Sequence, residues 1–144
     1  MPARGEPTLR LVHPASGRVL AARLERPRTF VGRGLGLMFR RRLSPESGMW
    51  IAPCNGIHTF FMRIPIDVVF MDRQQRVVKV FPSLRSWRMV PLVFGSHSVV
   101  ELPAGTLEGL PLPRGEQLAI EKGPEAVPGS SLRPRGELGG GRQP

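Results

Sequence analysis

Three residues in one stretch of the chain have side chains that could act together in catalysis. Cys54 is the sole cysteine, His58 follows four residues later, and Asp67 follows nine residues after that. A thiol, an imidazole and a carboxylate can serve as nucleophile, general base and orienting group. The thiol must lie within hydrogen-bond reach of the imidazole. Asn55-Gly56 and the β-rich residues that follow argue against a helix, so contact would have to be made across a turn.

An inert, packed thiol is the competing interpretation of Cys54, because cysteine is among the most frequently buried residues. A metal site is a weaker hypothesis, since Cys54, His58 and Asp67 supply at most three ligands and a closed zinc site takes four. His13 and His97 lie far away in the sequence, and no paired C-x-x-C motif is present. We therefore expect neither a metal ion nor a cofactor.

Asp67 is the most informative of the three because four large apolar residues follow it. This pattern indicates a carboxylate at the head of a buried strand, where it needs a cation or several N–H donors. Arg63 and His58 are candidate partners. Two interpretations stay open: Asp67 is a hydrogen-bonding hub that fixes the fold, or it points into a cleft. In the cleft it would orient His58 or receive a ligand's hydroxyl or ammonium group.

A recognition face is predicted beside these residues. In an extended strand His58, Phe60 and Met62 share one side, because strand side chains alternate. Trp87 and Arg88 add a ring and a guanidinium, which could stack on a planar ligand or clamp an anion. Ordinary barrel packing with exposed arginines explains the same pattern. The predicted ligand-binding cleft contains His58, Phe60, Met62, Asp67, Trp87 and Arg88.

Short apolar runs separated by turn signals indicate the elements that would hold these side chains. Strands are predicted at 8–12, 18–24, 49–52, 57–62, 66–71, 76–81, 98–102 and 117–120, and short helical segments at 35–41 and 104–110. Many short strands with turn signals about every ten residues predict a mainly β (α+β) fold. We expect a small, partly closed β-barrel with one or two short helices.

Four blocks of residues, taken in order, resemble those of the domain-of-unknown-function 192 family. They are GLMFR at 36–40, GMWI at 48–51, IHTFFMRIPIDVVFMD at 57–72 and VELPAG at 100–105. The resemblance spans about residues 9–122. It implies a small, mainly β, partly closed barrel with one or two short helices, and it brings no established activity. The commoner form of the family has a tryptophan and a lysine or asparagine where this chain has Phe61-Met62-Arg63.

The balance of charge is strongly basic. The chain carries 21 basic and 11 acidic residues, a formal net charge of +10. Nine arginines lie between Arg10 and Arg42 against one acid, Glu25. A field of this size attracts nucleic acid non-specifically. Arg40-Arg41-Arg42 belongs to no recognised nucleic-acid signature, so any binding of nucleic acid would be through charge only.

The domain organisation predicted from composition is simple. Residues 1–7 are a flexible N-terminal segment, residues 8–122 a single barrel-like domain, and residues 123–144 a disordered tail rich in glycine and proline. No run in the first thirty residues is long enough for a signal-peptide core or a membrane span. A single cysteine excludes an internal disulfide. We expect a cytoplasmic, monomeric protein.

These observations predict a non-catalytic binding module for a small molecule or a protein segment, with its site in the cleft defined above. One alternative is a hydrolase or thiol enzyme that uses Cys54, His58 and Asp67. Non-specific nucleic-acid binding through the arginine-rich face is a further alternative. No motif in the chain encodes a reaction, and small barrels host many functions.

Overall fold

The structure of the protein, a computed structural model, describes residues 8–26, 45–58 and 64–124. Within these ranges the chain is mainly β, as predicted. Its strands are β1 (Leu9–His13), β2 (Arg18–Glu25), β3 (Ser47–Ile51), β4 (Ile57–His58), β5 (Ile66–Met71), β6 (Val77–Leu84), β7 (Met89–Val90), β8 (Ser98–Pro103) and β9 (Ala119–Lys122). The described ranges contain no helical segment with the length and apolarity needed to cross a membrane.

Seven of the strands form one curled sheet, in the order β6-β5-β8-β3-β2-β1-β9. The first strand in this order, β6, is hydrogen-bonded near its start to the residues just before the last strand, β9. Val77 N–H donates to the Glu116 carbonyl at 2.8 Å, and Leu118 N–H donates to the Gln75 carbonyl at 3.0 Å. An isolated bridge joins Arg76 to Gln117. The sheet is therefore a partly closed barrel, because the start of β6 hydrogen-bonds to the segment that leads into β9.

The structure contains both hairpins that turn residues between apolar runs predict. β1 and β2 pair antiparallel around the turn at 14–17, where Gly17 has a φ of 72° and donates its N–H to the His13 carbonyl. β5 and β6 pair antiparallel around a turn held by Asp72, whose Oδ1 accepts the N–H groups of Gln74 and Arg76 at 2.8 and 2.9 Å. An aspartate that caps its own turn in this way favours the reversal.

Two apolar clusters lie on opposite faces of the curled sheet. The inner cluster fills the barrel and consists of Leu11, Leu20, Ala21, Leu24, Val69, Met71, Val77, Val100, Leu102, Leu107 and Leu118. The outer cluster lies on the other face of β3, β8 and β5 and consists of Met49, Ile51, Ile66, Val68, Phe70, Val93 and Val99. β5 is buried along its whole length because its alternating side chains enter both clusters.

The small sheet of β4 and β7 belongs to the outer face. Ile57 of β4 and Val90 of β7 pack against the outer cluster, and the backbones pair antiparallel with Ile57 opposite Val90 and His58 opposite Met89. A two-stranded ribbon is marginal by itself, so packing on the larger sheet stabilises it. The outer face of the barrel thus carries a second layer.

Some predicted elements have other boundaries in the structure. The predicted strand at 57–62 is described only at its start, and residues 59–62 lie outside the described ranges. The segment 104–110 consists of consecutive turns, with Thr106, Glu108 and Leu110 each donating an N–H to the carbonyl three residues earlier. Gly123 donates its N–H to the Thr8 carbonyl at 2.6 Å. The predicted helix at 35–41 and the segments 1–7 and 125–144 lie outside the described residues.

Candidate functional site

Asp67 lies in the middle of the fold, where backbone amides satisfy its carboxylate. Its side chain is on the inner face of β5, and the residue is 1% exposed. Oδ1 accepts the N–H of Ser83 at 2.8 Å, and Oδ2 accepts the N–H of Leu107 at 2.9 Å. Each oxygen therefore holds a different part of the chain: β6 on one side, and the turns after β8 on the other.

A β-bulge explains why β6 needs this carboxylate. Ile66 pairs with Leu84 and Val68 pairs with Phe81, so Pro82 and Ser83 together lie opposite Asp67. Proline has no N–H, and the N–H of Ser83, a residue with a φ of 49°, donates to the Asp67 side chain. The Asp67 side chain supplies the acceptor that the ladder lacks. This geometry corresponds to the hub interpretation of Asp67.

Cys54 lies in a different environment from Asp67. The Cys54 thiol donates a hydrogen bond to the Gly56 carbonyl at 2.9 Å, and the residue packs against the outer cluster. Since the Asp67 side chain is on the inner face of β5, the sheet stands between these two groups. Within the described ranges, no group of three histidine, cysteine, aspartate or glutamate side chains is arranged to hold a metal ion.

Three of the remaining predicted cleft residues lie in or next to β4 and β7: His58, Trp87 and Arg88. The His58 backbone pairs with Met89, one residue after Arg88, so the fold brings this part of β4 beside the Trp87-Arg88 segment. Trp87 is exposed and has a φ of 62°, a left-handed conformation that a bulky side chain rarely adopts. Arg88 is also exposed. Phe60 and Met62 lie outside the described residues.

Gly56 allows β4 and β7 to approach each other. A Cβ atom on Gly56 would lie 2.5 Å from the Pro91 carbonyl oxygen and 2.7 Å from that of Val90. These are backbone atoms, so a side chain there would force the two segments apart. Nearby, Val93 N–H donates to the Asn55 carbonyl at 2.7 Å. The Asn55-Gly56 turn signal therefore marks a close backbone contact as well as a reversal.

A buried carboxyl that sequence reasoning missed lies under this layer. Glu101 is on the outer face of β8, between Met49 of β3 and Val68 of β5, and is 6% exposed. Burial raises the pKa of the Glu101 carboxyl from its ordinary value of 4.5 to about 7. No hydrogen bond or ion pair joins this carboxyl to another of the residues in the described ranges. Asp67, by contrast, accepts hydrogen bonds from two backbone amides.

Glu101 could have been noticed from its position in the sequence. It interrupts the apolar run Val99-Val100-Glu101-Leu102, and a strand buried on both faces reads as a continuous apolar run. A charged residue inside such a run needs a partner or a function. The pattern predicts a strand at 98–102 but does not reveal a role for its glutamate.

Two further features lie elsewhere on the barrel. His13 is buried and joins Ser16 Oγ through Nδ1 at 2.7 Å and Glu116 Oε1 through Nε2 at 2.8 Å, which ties the first hairpin to the turn before β9. A groove of about 490 Å³ runs along β1 and β2 and contains none of the predicted cleft residues. It is lined by Thr8, Arg10, Val19, Ala22, Arg23, Glu46, Gly123 and Pro124.

A protein-family model matches residues 11–120, which include every strand from β2 to β8. The chain belongs to the domain-of-unknown-function 192 family. That family is described as "Uncharacterized ACR", so membership carries no activity with it. The resemblance found in the four sequence blocks is thereby confirmed.

Relatives of the chain occur in archaea. A UPF0127 protein of Thermococcus gammatolerans is 29% identical over 126 residues, which are 82% of this chain and 81% of the relative. A UPF0127 protein of Pyrococcus horikoshii is 33% identical over 96 residues, 62% of this chain and 80% of the relative.

Solved structures share the fold. A protein of unknown function from Novosphingobium aromaticivorans has a TM-score of 0.66 and 25% identity, covering 83% of this chain and 89% of its own. A proposed transcription regulator from Sinorhizobium meliloti has a TM-score of 0.67 and 23% identity. The match covers 79% of this chain and 92% of that protein. The likeness to the second structure concerns the fold alone.

Proposed function

We propose that this member of the domain-of-unknown-function 192 family is a non-catalytic binding module. Its ligand is a small molecule or a protein segment that brings a hydrogen-bond donor or a cationic group to the outer face of the barrel. The observation that carries the proposal is the Glu101 carboxyl, buried among apolar residues without a partner among the described ones. A ligand that donates to this carboxyl would recover the cost of its burial.

The elements around Glu101 support a binding role. Its neighbours on the outer face, Met49 and Val68, are apolar, and apolar walls with a few polar groups are typical of ligand sites. The layer formed by β4 and β7 packs on the same face, and we assign the site's rim to His58, Trp87 and Arg88.

Asp67 enters the proposal as a positioning residue. Its carboxylate is engaged by the Ser83 and Leu107 amides, so we assign it the task of holding β6 and the turns after β8 in place. The enzyme alternative receives less support from the geometry. An orienting aspartate must reach the base that it serves, whereas Asp67 lies on the inner face and His58 belongs to β4, which packs on the outer face.

Three probes of equal shape and different charge test the proposal. Benzylamine, benzyl alcohol and benzoate each carry one phenyl ring, with an ammonium, a hydroxyl and a carboxylate group respectively. We expect benzylamine to shift the backbone amide NMR signals of Met49, Val68 and Leu102, benzyl alcohol to do so more weakly, and benzoate not at all. Equal shifts from all three probes, or none from any, would contradict a donor-selective site.

Matched variants assign the binding to one carboxyl. Glu101→Gln should weaken benzylamine binding about tenfold or more, because a charge-assisted hydrogen bond is lost. Glu108→Gln removes one negative charge from an exposed position in the turns after β8 and should leave the affinity unchanged. If both variants weakened binding equally, the effect would be one of overall charge.

A further inference from the structure

A ridge of exposed apolar side chains follows β6. Its first two residues, Trp87 and Arg88, are ones that we assign above to the rim of the Glu101 site. We call the segment 87–94 the apolar ridge. Trp87 and Met89 are each 59% exposed, Leu92 is 48% exposed and Phe94 is 81% exposed. Four large apolar side chains within eight residues form a concentrated patch, whereas single exposed hydrophobic residues are ordinary.

The ridge is held firmly by the residues between the exposed ones. Val90 packs against the outer cluster, and Val93 belongs to it. Val93 N–H donates to the Asn55 carbonyl at 2.7 Å, and Gly56 lies against the backbone of Val90 and Pro91. Val90 and Val93 are anchored, whereas Met89, Leu92 and Phe94 beside them are exposed. The exposure is thus a property of the fold.

The sequence that contains the ridge carries charge of one sign. From residue 73 to residue 100 it contains no aspartate or glutamate, and its basic residues include Arg85 just before the ridge and Arg88 within it. The whole chain has a formal net charge of +10. A partner with a negative surface and an apolar interior is complementary to this combination.

We propose that the apolar ridge docks onto an anionic membrane surface. Protruding side chains enter the boundary between headgroups and acyl chains without needing a pocket of matching shape, and tryptophan and phenylalanine favour that depth. The arginines attract the negative surface of the leaflet. A protein partner would need pockets for side chains as far exposed as Phe94, so the lipid surface is the occupant that the observations favour.

Vesicle binding by the full chain tests this inference. Phosphatidylcholine vesicles with and without phosphatidylserine are sedimented with the protein at low and high salt. We expect binding only to the serine-containing vesicles, and weaker binding at high salt. Phe94→Asp should lower the binding constant about tenfold or more, because it removes an aromatic side chain that would enter the membrane boundary and adds a charge that the anionic surface repels.

A matched control and a depth measurement complete the experiment. Val19→Asp introduces the same charge at an apolar residue of β2 that is 47% exposed, and it should retain binding. Brominated lipids should quench the fluorescence of Trp87. That emission is identified as the part that is missing from the Trp87→Phe variant. Equal loss in Phe94→Asp and Val19→Asp, or no binding to either kind of vesicle, would overturn the inference. So would a dimer in solution that Phe94→Asp dissociates, because the ridge would then be a contact between copies of the chain.

Discussion

Asp67 and Glu101 are buried carboxyl groups on the adjacent strands β5 and β8, and their surroundings give them different tasks. Asp67 accepts two backbone amides, so its charge is compensated within the fold. Glu101 lies between Met49 and Val68 with a pKa raised to about 7 by burial. A carboxyl buried among apolar residues lowers the stability of the fold when it ionises. It is therefore suited to bind a ligand that supplies a hydrogen-bond donor.

The raised pKa of Glu101 predicts how stability depends on pH. The folded state holds the proton up to about pH 7, whereas the ordinary pKa in the unfolded chain is 4.5. The contribution of Glu101 to the free energy of unfolding is therefore fully present below pH 4.5 and is lost as the pH rises through 7. Glu101→Gln should be more stable than the parent above that range, by on the order of 3 kcal/mol.

Urea unfolding of both proteins across this pH range measures the difference. Because all other ionisable groups are common to the two, the difference isolates Glu101. We expect the curves to coincide at the acidic end and to separate toward neutral pH. If the free energies of unfolding of the two proteins did not diverge as the pH rose, the result would contradict a desolvated carboxyl at position 101.

The variant Asp67→Asn tests whether the hydrogen bonds of Asp67 hold β6 and the turns after β8 in place. An asparagine keeps one oxygen acceptor but turns the other position into a donor, which would face the N–H of Ser83 or Leu107. We expect a loss of about 2–4 kcal/mol in the free energy of unfolding, since a buried amide loses its charged acceptor. Chemical denaturation measures it.

Asp72→Asn is the matched control for that substitution. A single oxygen of Asp72, Oδ1, accepts both the Gln74 and the Arg76 amides, so asparagine can make the same two bonds. We expect a change below about 1 kcal/mol. Similar losses at both positions would show that Asp67 has no special role as a hub.

At the scale of elements, the contact between β4 and β7 depends on Gly56. Gly56→Ala would bring a Cβ within 2.5 Å of a backbone oxygen, so the two strands must separate. We expect faster hydrogen exchange at Ile57 and Val90 while the strands of the barrel stay protected. Gly17→Ala is the control: its φ of 72° is strained for alanine but it has open space, so it should cost about 1 kcal/mol and leave β7 protected. Unchanged exchange in Gly56→Ala would contradict the close contact.

Local signals predicted some elements and not others. The β5–β6 hairpin follows from two apolar runs around Asp72, and the β1–β2 hairpin from the turn ending in Gly17, because both depend on neighbouring residues. β7 has two residues and depends on a partner more than thirty positions earlier, Ile57-His58, so no local pattern reveals it. The bulge opposite Asp67 likewise results from pairing between strands.

At the scale of the whole molecule, the buried partners of the candidate site come from distant positions. The sequence singled out Asp67 as a buried carboxylate with two open roles, and the structure supplies its donors from positions 83 and 107. Glu101 acquires its character from β3 and β5, which flank it only after the sheet has formed. Local patterns describe single strands, whereas desolvation depends on the strands that assemble around a side chain.

The net charge of +10 leads to a prediction about nucleic acid. Electrostatic attraction without base contacts gives binding that falls steeply with salt and ignores sequence. We expect binding to duplex DNA only at low salt, with equal affinity for two unrelated duplexes in a fluorescence-anisotropy titration. A preference for one duplex that persists at physiological salt would indicate a dedicated nucleic-acid site.

The most direct test of the central claim is the titration of the Glu101 side-chain carboxyl by carbon-13 NMR, with and without benzylamine. We expect a midpoint at about pH 7 in the free protein. A bound ammonium group favours the carboxylate, so benzylamine should lower that midpoint. A midpoint at the ordinary value of 4.5, or one that saturating benzylamine leaves unchanged, would contradict a buried carboxyl that serves as the anchor of a ligand site.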